Sequence, residues 1–271
     1  NEKEETMLSR VANSIYWMCR YIERAENVAR FISVNLNLLL DMPSERGKHW
    51  EPLVMITGDQ ELFEEHYRDP TQEAVVNFLT FDRQYPNSIL SCLASARENA
   101  RSIREIISSE MWEHLNTFYL EMADPRFQPM ALQDPHKFFK IIQMRSHLFT
   151  GLMDSTMSHG EAWNFARIGM MMERADKTSR ILDVKYFMLL PEADLVNTPI
   201  DNLQWTAVLK SASALDRREN WSSRALASAG RASRVRRSAP VAPCQLRLQS
   251  SSCCVVRCLF PCCWRSSSCS D

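Results

Sequence analysis

Glycine is scarce in this sequence, with 6 residues in a chain of 271. An all-β fold with many tight turns uses more glycine than this, whereas the abundance of Leu, Met, Ala, Glu and Arg favours helices. No apolar run approaches the roughly 20 residues that span a bilayer, because polar residues interrupt the longest one, residues 31–40. We therefore expect an all-α protein that has no membrane partner.

Cysteine is nearly absent from the first 215 residues, which contain only Cys19 and Cys92. Two cysteines offer no disulfide framework and fit a reducing compartment, so we expect a cytoplasmic protein. Both lie in helical stretches, where a cysteine packs as a small apolar group more often than it acts as a nucleophile. The acidic start of the chain, with no signal-type apolar segment after it, argues against secretion.

Motifs for metals and nucleotides are also absent. A di-iron bundle requires glutamate three residues before histidine, and none of the six histidines has one. Glu110 and His114 share a helix face, but two residues are too few to indicate a metal site. The chain contains neither type of glycine-rich phosphate-binding loop. We therefore expect no metal and no cofactor.

The net charge of −1 conceals two segments of opposite charge. Residues 1–215 contain 22 basic and 30 acidic side chains, whereas residues 216–271 contain 10 basic side chains, all arginine, and 3 acidic ones. These last 56 residues, which we call the C-terminal segment, also hold 12 of the serines and 7 of the 9 cysteines. Because the long segment is acidic, we expect no nucleic-acid partner.

The cysteines and arginines of the C-terminal segment fit no functional module. Their cysteine spacing matches no zinc site, and the arginines lack the interleaved aromatics of a nucleic-acid-binding element. The composition is typical of an out-of-frame translation of a GC-rich gene. We expect the native frame to be lost close to Leu215, leaving a disordered, oxidation-prone segment. We also expect residues 1–6 to lie upstream of the fold, which then opens at Met7.

Apolar residues recur at steps of 3 and 4 along residues 8–40, which predicts one long helix with a single buried stripe. Similar patterns, with their caps and prolines, predict further helices over residues 50–58, 71–80, 87–107, 109–122, 135–157, 161–190 and 201–215. Three prolines predict a loop over residues 124–135. The expected architecture is a helical bundle with long antiparallel helices.

The sequence repeats itself at an offset of 150 residues. Residues 21–30, Tyr-Ile-Glu-Arg-Ala-Glu-Asn-Val-Ala-Arg, match residues 171–180, Met-Met-Glu-Arg-Ala-Asp-Lys-Thr-Ser-Arg. Trp50 has a counterpart in Trp205 at a similar offset of 155. The simplest explanation is a duplicated helical unit. We place the two units at about residues 7–122 and 135–215, with the second one truncated.

The two Glu-Arg motifs form the first candidate site. If the two units pack about a pseudo-two-fold axis, Glu23 and Glu173 approach one another, each beside an arginine. This arrangement is either a polar site at the centre of the bundle or a salt-bridge network that fixes helix register. We favour the network because charged helix faces are usually structural or solvated. The arginines of this set are Arg20, Arg24, Arg30, Arg174 and Arg180.

A stripe of three arginines, Arg97, Arg101 and Arg104, forms the second candidate site. The guanidinium group suits carboxylates and phosphates, and the stripe has no acid in its own line. Its partners are therefore either the carboxylates of Glu23 and Glu173, which we favour, or an anionic ligand. The neighbouring polar residues that could join either network are Asp82, Arg83, Glu98, Asn99 and Asn116.

Residues 7–30 resemble the opening of the bacterial alpha-E family, an all-helical domain named for its Glu-Arg motif. Residues 78–83, 86–89, 96–101 and 173–176 resemble further segments of that family in the same order, so the resemblance covers about residues 7–215. The family usually has glycine at the position of Cys19. It also continues with helical sequence where the C-terminal segment of this chain begins.

The resemblance implies partners. Alpha-E genes tend to lie beside, or fuse with, genes for circularly permuted ATP-grasp ligases and transglutaminase-like peptidases. Our leading hypothesis is therefore a non-catalytic, accessory helical protein that works with an ATP-grasp-type peptide or amide ligase. A transglutaminase-like protein is the second implied partner. The arginines and glutamates would then either hold the fold together or receive an acidic peptide.

The alternative hypothesis is an enzyme or an anionic-ligand-binding protein. Glu23 or Glu173 would act as a general acid or base, and the arginine stripe would bind a substrate carboxylate or phosphate. A carboxylate beside arginines tends to have a low pKa, which suits charge stabilisation better than proton transfer. The enzyme hypothesis is therefore the weaker one. A third hypothesis is a purely structural repeat that binds no ligand.

Overall fold

The computed structural model describes residues 8–41, 50–187 and 199–213. The described helices are α1 (Ser9–Asp41), α2 (Glu51–Thr57), α3 (Gln60–His66), α4 (Gln72–Thr80), α5 (Ile89–Arg101), α6 (Ser109–Ala123), α7 (Gln128–Gln133), α8 (Pro135–Thr156), α9 (Glu161–Phe187) and α10 (Pro199–Ser211). None of the described residues forms a strand, and the expected all-α fold class is confirmed. The predictions for residues 1–6 and for the C-terminal segment lie outside the described residues. No described helix is long and apolar enough to cross a membrane.

The predicted loop over residues 124–135 is wrong. This stretch contains a short 3-10 helix, Pro125–Phe127, followed by α7. The prolines that suggested a loop lie in the first turns of helices, at Pro125, Pro129 and Pro135. Proline is tolerated at these positions because the N–H that it lacks would have no partner within the helix.

One further helix end differs from the predictions, and one helix, α3, was not predicted. The predicted helix over residues 87–107 ends at Arg101, and turns occupy residues 102–107. The predicted helix over residues 50–58 stops at Gly58, whose φ of 79° is a left-handed cap, and α3 follows. The apolar pattern did not reveal α3 because Phe63 is its only buried residue.

Helix α1 is the centre of the bundle. It packs most extensively against α9, α5 and α8. Its predicted apolar stripe is buried, with Ile15 and Met18 fully inaccessible to solvent. Cys19 and Cys92 are buried as well, and burial raises the pKa of each thiol to about 12. Both cysteines therefore stay protonated and pack as small apolar side chains.

Helices α1 and α9 approach each other closely at Gly169. A Cβ atom at this position would lie 2.4 Å from the carbonyl oxygen of Tyr16. Since no side chain fits at that distance, the approach requires glycine. The contact brings the motif-bearing segments of the two helices, residues 20–30 and 170–180, into register.

Candidate functional site

The two Glu-Arg motifs bind each other between α1 and α9. Nε and Nη2 of Arg24 donate to Oε1 and Oε2 of Glu173 over 2.7 and 2.9 Å. Nε and Nη2 of Arg174 donate to Oε1 and Oε2 of Glu23 over 2.7 and 3.0 Å. Each motif therefore supplies the carboxylate that binds the other motif's guanidinium, in the strong bidentate geometry. We call these four residues the Glu–Arg clamp.

Glu173 is the more strongly bound carboxylate of the clamp. Its side chain is fully buried, and it also accepts a 2.8 Å hydrogen bond from Nε of Arg20. The ammonium group of Lys177, one turn further along α9, lies 4.0 Å away. Burial alone would raise the pKa of Glu173, but the bonds from Arg24 and Arg20 and the charge of Lys177 outweigh it, so the pKa is lowered. Glu173 is thus a buried anion among three cations.

Glu23 has weaker support. Its carboxylate is also buried, but among the described residues Arg174 is the one arginine that binds it, and the carboxylate of Glu26 lies nearby. Burial raises the pKa of Glu23, and Arg174 offsets that effect only in part. The Arg174 side chain is 40% exposed, whereas the Arg24 side chain is 13% exposed. The half of the clamp that contains Glu23 is therefore the half closer to water.

A chain of hydrogen bonds extends the clamp from Arg24 to the α2–α3 junction. Nη1 of Arg24 donates to Oδ1 of Asn87, which lies just before α5. Nδ2 of Asn87 donates over 3.2 Å to Oδ2 of Asp59, and the hydroxyl of Tyr85 donates to the same oxygen over 2.7 Å. Sequence analysis did not identify Asp59 or Tyr85. All three nitrogens of the Arg24 guanidinium group therefore donate hydrogen bonds to side chains of this chain.

Arg30 and Arg180 do not join the clamp, although both were candidate site residues. Each binds the acidic residue four positions earlier on its own helix, Glu26 and Asp176 respectively. Nη1 of Arg180 also donates to the carbonyl of Thr57 at the end of α2, over 3.1 Å. These pairs support their helices and attach α9 to α2.

The expected pairing of the arginine stripe with Glu23 and Glu173 is wrong. Nε of Arg97 donates to Oδ1 of Asn116 on α6 over 2.7 Å, and Glu98 binds both Arg97 and Arg101. The guanidinium of Arg104 lies 4.9 Å from the ring centre of Trp112. Arg97 and Arg104 therefore contact the aromatic rings of Tyr119 and Trp112 on α6, and not the carboxylates of Glu23 and Glu173. The side-chain amide of Asn99 donates to the carbonyl of Ser95 within α5.

An open groove of about 560 Å³ runs beside the clamp, between α1, the start of α5, and α6. Its aromatic lining consists of Trp17, Tyr21 and Tyr119, and its cationic lining consists of Arg24 and Arg83. Asn87, Pro86 and the α5 side chains Leu90, Ser91, Ala94 and Ser95 complete it. Arg20 and Arg97 stack their guanidinium groups against the groove aromatics, over Trp17 and Tyr119 respectively.

The groove presents unused hydrogen-bond donors. Among the described residues, Arg83 has no acidic or hydrogen-bonding partner, and it is exposed. The indole N–H of Trp17 and the hydroxyls of Tyr21 and Tyr119 also have no hydrogen-bond partner there. A cationic donor beside aromatic faces suits a carboxylate attached to an apolar or extended chain. Sequence analysis missed the aromatics, since Trp17 and Tyr21 at i and i+4 look like core positions.

The described residues contain no group of three or more His, Cys, Asp or Glu side chains that could hold a metal ion. Glu110 and His114 illustrate this, because the Nε2 of His114 bonds to the backbone carbonyl of Arg145 over 2.8 Å.

Comparison with known proteins identifies a family whose description includes the Glu-Arg motif of the clamp. Residues 7–226 match the Alpha-E family, which is described as a predicted alpha-helical domain with a conserved ER motif. The chain is also 22% identical over 183 residues to an uncharacterised protein of Mycobacterium bovis and to one of Mycobacterium tuberculosis. The aligned region is 61% of this chain, and the chain spans about a fifth of the length of these relatives. No solved structure matches. With four fifths of its length matched, this chain belongs to the Alpha-E family.

Proposed function

We propose that this chain is a non-catalytic, accessory helical protein of an ATP-grasp-type peptide or amide ligase system. Its Glu–Arg clamp holds α1 and α9 together, and its groove receives an acidic peptide segment. The ligase is the first partner that we propose, and a transglutaminase-like protein is the second. Cytoplasmic location follows from this proposal, because such ligases use cytoplasmic ATP.

The hydrogen bonds and burial of Glu173 support a non-catalytic role for the clamp. Both oxygens of Glu173 accept hydrogen bonds from arginines, and the side chain has no solvent exposure. A general base needs a free lone pair within reach of the proton that it removes. Three of the roughly four lone-pair positions of Glu173 accept arginine hydrogen bonds, and its lowered pKa keeps it ionised as a structural anion.

The contacts between α1 and α9 support our proposal that the domain consists of two related helical units. Tyr16 meets Gly169, and Glu23 meets Arg174, so residues in contact keep a difference in number near 150. A constant difference is the pattern of two helices that run in the same direction. Equivalent residues then face each other across a pseudo-two-fold axis parallel to both helices, which explains the reciprocal clamp.

The antiparallel part of the proposed architecture lies elsewhere in the bundle. Contacts of α1 with α8 join Ala29 to Gln143 and Cys19 to Met153, so the numbers rise on one helix as they fall on the other. That pattern indicates antiparallel helices. We propose that each motif-bearing helix is the centre of one unit, with antiparallel neighbours packed around it.

The unused donors of the groove are the observation that carries the acidic-peptide proposal. A peptide carries carbonyl oxygens along its backbone, and an acidic side chain adds the carboxylate that Arg83 lacks. The aromatic rings of Trp17 and Tyr21 provide a face for the methylene groups of a glutamate side chain.

Titration with a capped tetraglutamate peptide tests the groove. We expect binding that weakens about tenfold in Arg83→Ala, through the loss of one charge-assisted bond, and about tenfold in Trp17→Ala, through the loss of the aromatic face. A matched control is Arg126→Ala, which removes an arginine that is 89% exposed, pairs with Asp124 and does not line the groove. Equal binding of a capped tetraglutamine peptide would show that no acidic group is recognised and would contradict the proposal.

Co-purification tests the partner. Full-length protein should copurify with an ATP-grasp ligase from the same organism and should change the rate at which that ligase forms amide bonds. The Arg83→Ala variant should keep the complex but lose part of the rate effect if the groove presents an acidic acceptor. Absence of both binding and a rate effect would refute the accessory role.

One observation favours the alternative, an enzyme or anionic-ligand site at the centre of the bundle. The raised pKa of Glu23 and the partial exposure of Arg174 are properties of a general acid beside a substrate-binding arginine. Under this alternative, Glu23→Gln abolishes turnover while tetraglutamate binding persists. Under our proposal, the same variant keeps its effect on the ligase, in proportion to the folded fraction.

A further inference from the structure

The side of α5 that lines the groove continues into the arginine stripe. Leu90 and Ala94 line the groove, and Arg97 and Arg101 follow Ala94 along the helix. The four residues are separated by steps of 4, 3 and 4, and residues at this spacing share one side of a helix. The first two arginines of the stripe therefore lie on the same surface as the groove.

Aromatic rings of α6 alternate with guanidinium groups along this surface. The guanidinium of Arg97 lies 5.4 Å from the ring centre of Tyr119, which lines the groove, and 5.7 Å from the ring centre of Trp112. The guanidinium of Arg104 lies 4.9 Å from the same ring of Trp112. These four residues, which we call the α5–α6 track, therefore form a continuous series of cation–π contacts from the groove to the last arginine of the stripe.

Arg104 resembles Arg83 of the groove in its lack of an acidic partner. Arg104 is exposed, and among the described residues it forms no hydrogen bond and binds no carboxylate. Glu98 binds both Arg97 and Arg101, so Arg104 is the one cation of the stripe that no acid neutralises in the described part of the chain. The surface that joins the groove to the track therefore has two unpaired arginines.

The unused polar groups of the track are hydrogen-bond donors. The hydroxyl of Tyr119, the indole N–H of Trp112 and Nη2 of Arg97 have no hydrogen-bond partner among the described residues. The indole and the guanidinium donate and do not accept. A ligand that suits this surface therefore carries acceptors along its length and a negative charge near each unpaired arginine. An extended acidic peptide has both, in its backbone carbonyls and its carboxylates.

The length of α5 sets the separation between the two unpaired arginines. Arg83 precedes the first residue of α5, and Arg104 follows its last one. The helix has 13 residues, and a rise of about 1.5 Å per residue makes it about 20 Å long. An extended peptide advances about 3.3 Å per residue, so two acidic side chains about six positions apart span the same length.

We propose that the acidic segment received by the groove carries a second acidic residue about six positions from the first, and that Arg104 binds it. Arg83 binds the first carboxylate, and the rings of the groove and the track contact the residues between the two acids. Trp112 holds the Arg104 guanidinium in place. This inference rests on the proposed acidic-peptide function. It makes Arg83 and Arg104 the residues that determine specificity for two acids at a fixed separation.

Two capped peptides of equal length and charge test the spacing. Each has two glutamates in a serine–threonine background, at positions i and i+2 or at positions i and i+6. We expect the i, i+6 peptide to bind the full-length protein at least about tenfold more tightly, because it alone reaches both arginines. Arg104→Ala should remove this advantage. The same variant should leave tetraglutamate binding unchanged, since four residues reach only about 13 Å.

Arg167→Ala is the matched control. The guanidinium of Arg167 also lies over a tryptophan ring, 5.5 Å from the ring centre of Trp163, but it belongs to α9 and does not line the groove. The control variant should therefore keep the full preference for the i, i+6 peptide. Loss of the preference in Arg167→Ala would show that the effect is not specific to Arg104.

An exchange of charges gives a second readout that a structural role of Arg104 would not produce. When lysine replaces the second glutamate of the i, i+6 peptide, this peptide should bind Arg104→Glu more tightly than it binds the wild-type protein. Equal binding of the two glutamate peptides, or an advantage that survives in Arg104→Ala, would overturn the inference even if tetraglutamate binds. Absence of binding by all three acidic peptides would overturn the proposed function as well. Tighter binding of a thymidine trinucleotide, which also carries two negative charges, would overturn the inference by identifying a nucleic acid as the ligand.

Discussion

Helices α1 and α9 carry nearly the same Glu-Arg motif, yet they occupy different surroundings. Helix α1 is enclosed by α5, α8 and α9, so its apolar stripe is buried. Helix α9 meets α1 through its motif but leaves Phe165, Ile168 and Met172 exposed. The motif therefore determines how α1 and α9 bind each other. The neighbouring helices determine how much of the apolar stripe of α1 or of α9 is buried.

The two glutamates of the clamp show the same contrast in their charge environment. Glu173 accepts bonds from Arg20 and Arg24 and lies near Lys177, and its pKa is lowered. Within the described part of the chain Glu23 binds one arginine, Arg174, and burial raises its pKa. The glutamate of one Glu-Arg motif is therefore strongly bound, whereas the glutamate of the other motif is only weakly stabilised.

The largest expected effect comes from placing a charge on each stripe. Met18→Glu buries an unpaired carboxylate in the core and should cost more than about 4 kcal/mol of unfolding free energy, or prevent folding. Ile168→Glu, at the corresponding position of α9, should change it by no more than about 0.5 kcal/mol. Urea denaturation followed by circular dichroism measures both. Similar costs for the two variants would show that the α9 stripe is covered in solution.

The next largest effect separates the two glutamates. Glu173→Gln leaves Arg20, Arg24 and Lys177 around a neutral group, and loss of one partner of a buried pair costs about 3–5 kcal/mol. Glu23→Gln should cost about 1–2 kcal/mol, because the partly exposed Arg174 can turn to water. The free energies of unfolding at pH 7 test this order. A larger loss for Glu23→Gln would contradict the assigned roles of the two glutamates.

A moderate effect distinguishes two corresponding positions in the helix interface. Gly169→Ala adds a Cβ that would lie 2.4 Å from the Tyr16 carbonyl oxygen, so the helices must separate. Overpacking of this kind costs about 1–3 kcal/mol. Cys19 corresponds to Gly169 and already accommodates a side chain, so Cys19→Ala should cost about 1 kcal/mol or less. Thermal denaturation of both variants compares them directly.

The smallest effect is the pH dependence of the two glutamate variants. Glu173 has a lowered pKa, so its ionisation stabilises the fold above the ordinary value of 4.5, and this stabilisation is lost as the pH falls through the folded-state pKa. Glu23 has a raised pKa, so its ionisation destabilises the fold as the pH rises from 4.5 through the raised value. Between pH 3 and pH 7, the cost of Glu173→Gln should therefore rise and the cost of Glu23→Gln should fall. Parallel pH profiles would contradict these pKa directions.

Much of the fold could be predicted from the sequence because α1 and α9 carry a motif that repeats at a fixed offset. The steps of 3 and 4 between apolar residues located α1, and the offset of 150 indicated that Glu23 and Glu173 would be close. Charged motifs gave no information on which acid pairs with which base. Arg97, for example, binds Asn116 and the ring of Tyr119, and no pattern along α5 indicates which face meets α6.

The groove and the exposed stripe could not be predicted for a different reason. Trp17 and Tyr21 have the spacing of core residues, and only the packing of α5 beside them leaves their rings open. Ile168 and Met172 also have core spacing, and their exposure depends on which neighbouring helix is present. Burial is a property of the assembled helices, so apolar spacing in one helix cannot specify it.

A double-mutant cycle on Glu23 and Arg174 tests the central claim most directly, namely that the two motifs hold α1 and α9 together through reciprocal ion pairs. The free energies of unfolding of Glu23→Ala, Arg174→Ala and the double variant give the interaction energy of the pair. We expect an interaction energy of about 1–3 kcal/mol between Glu23 and Arg174. Additive effects, within about 0.5 kcal/mol, would show that these residues stabilise their helices independently and would contradict the clamp.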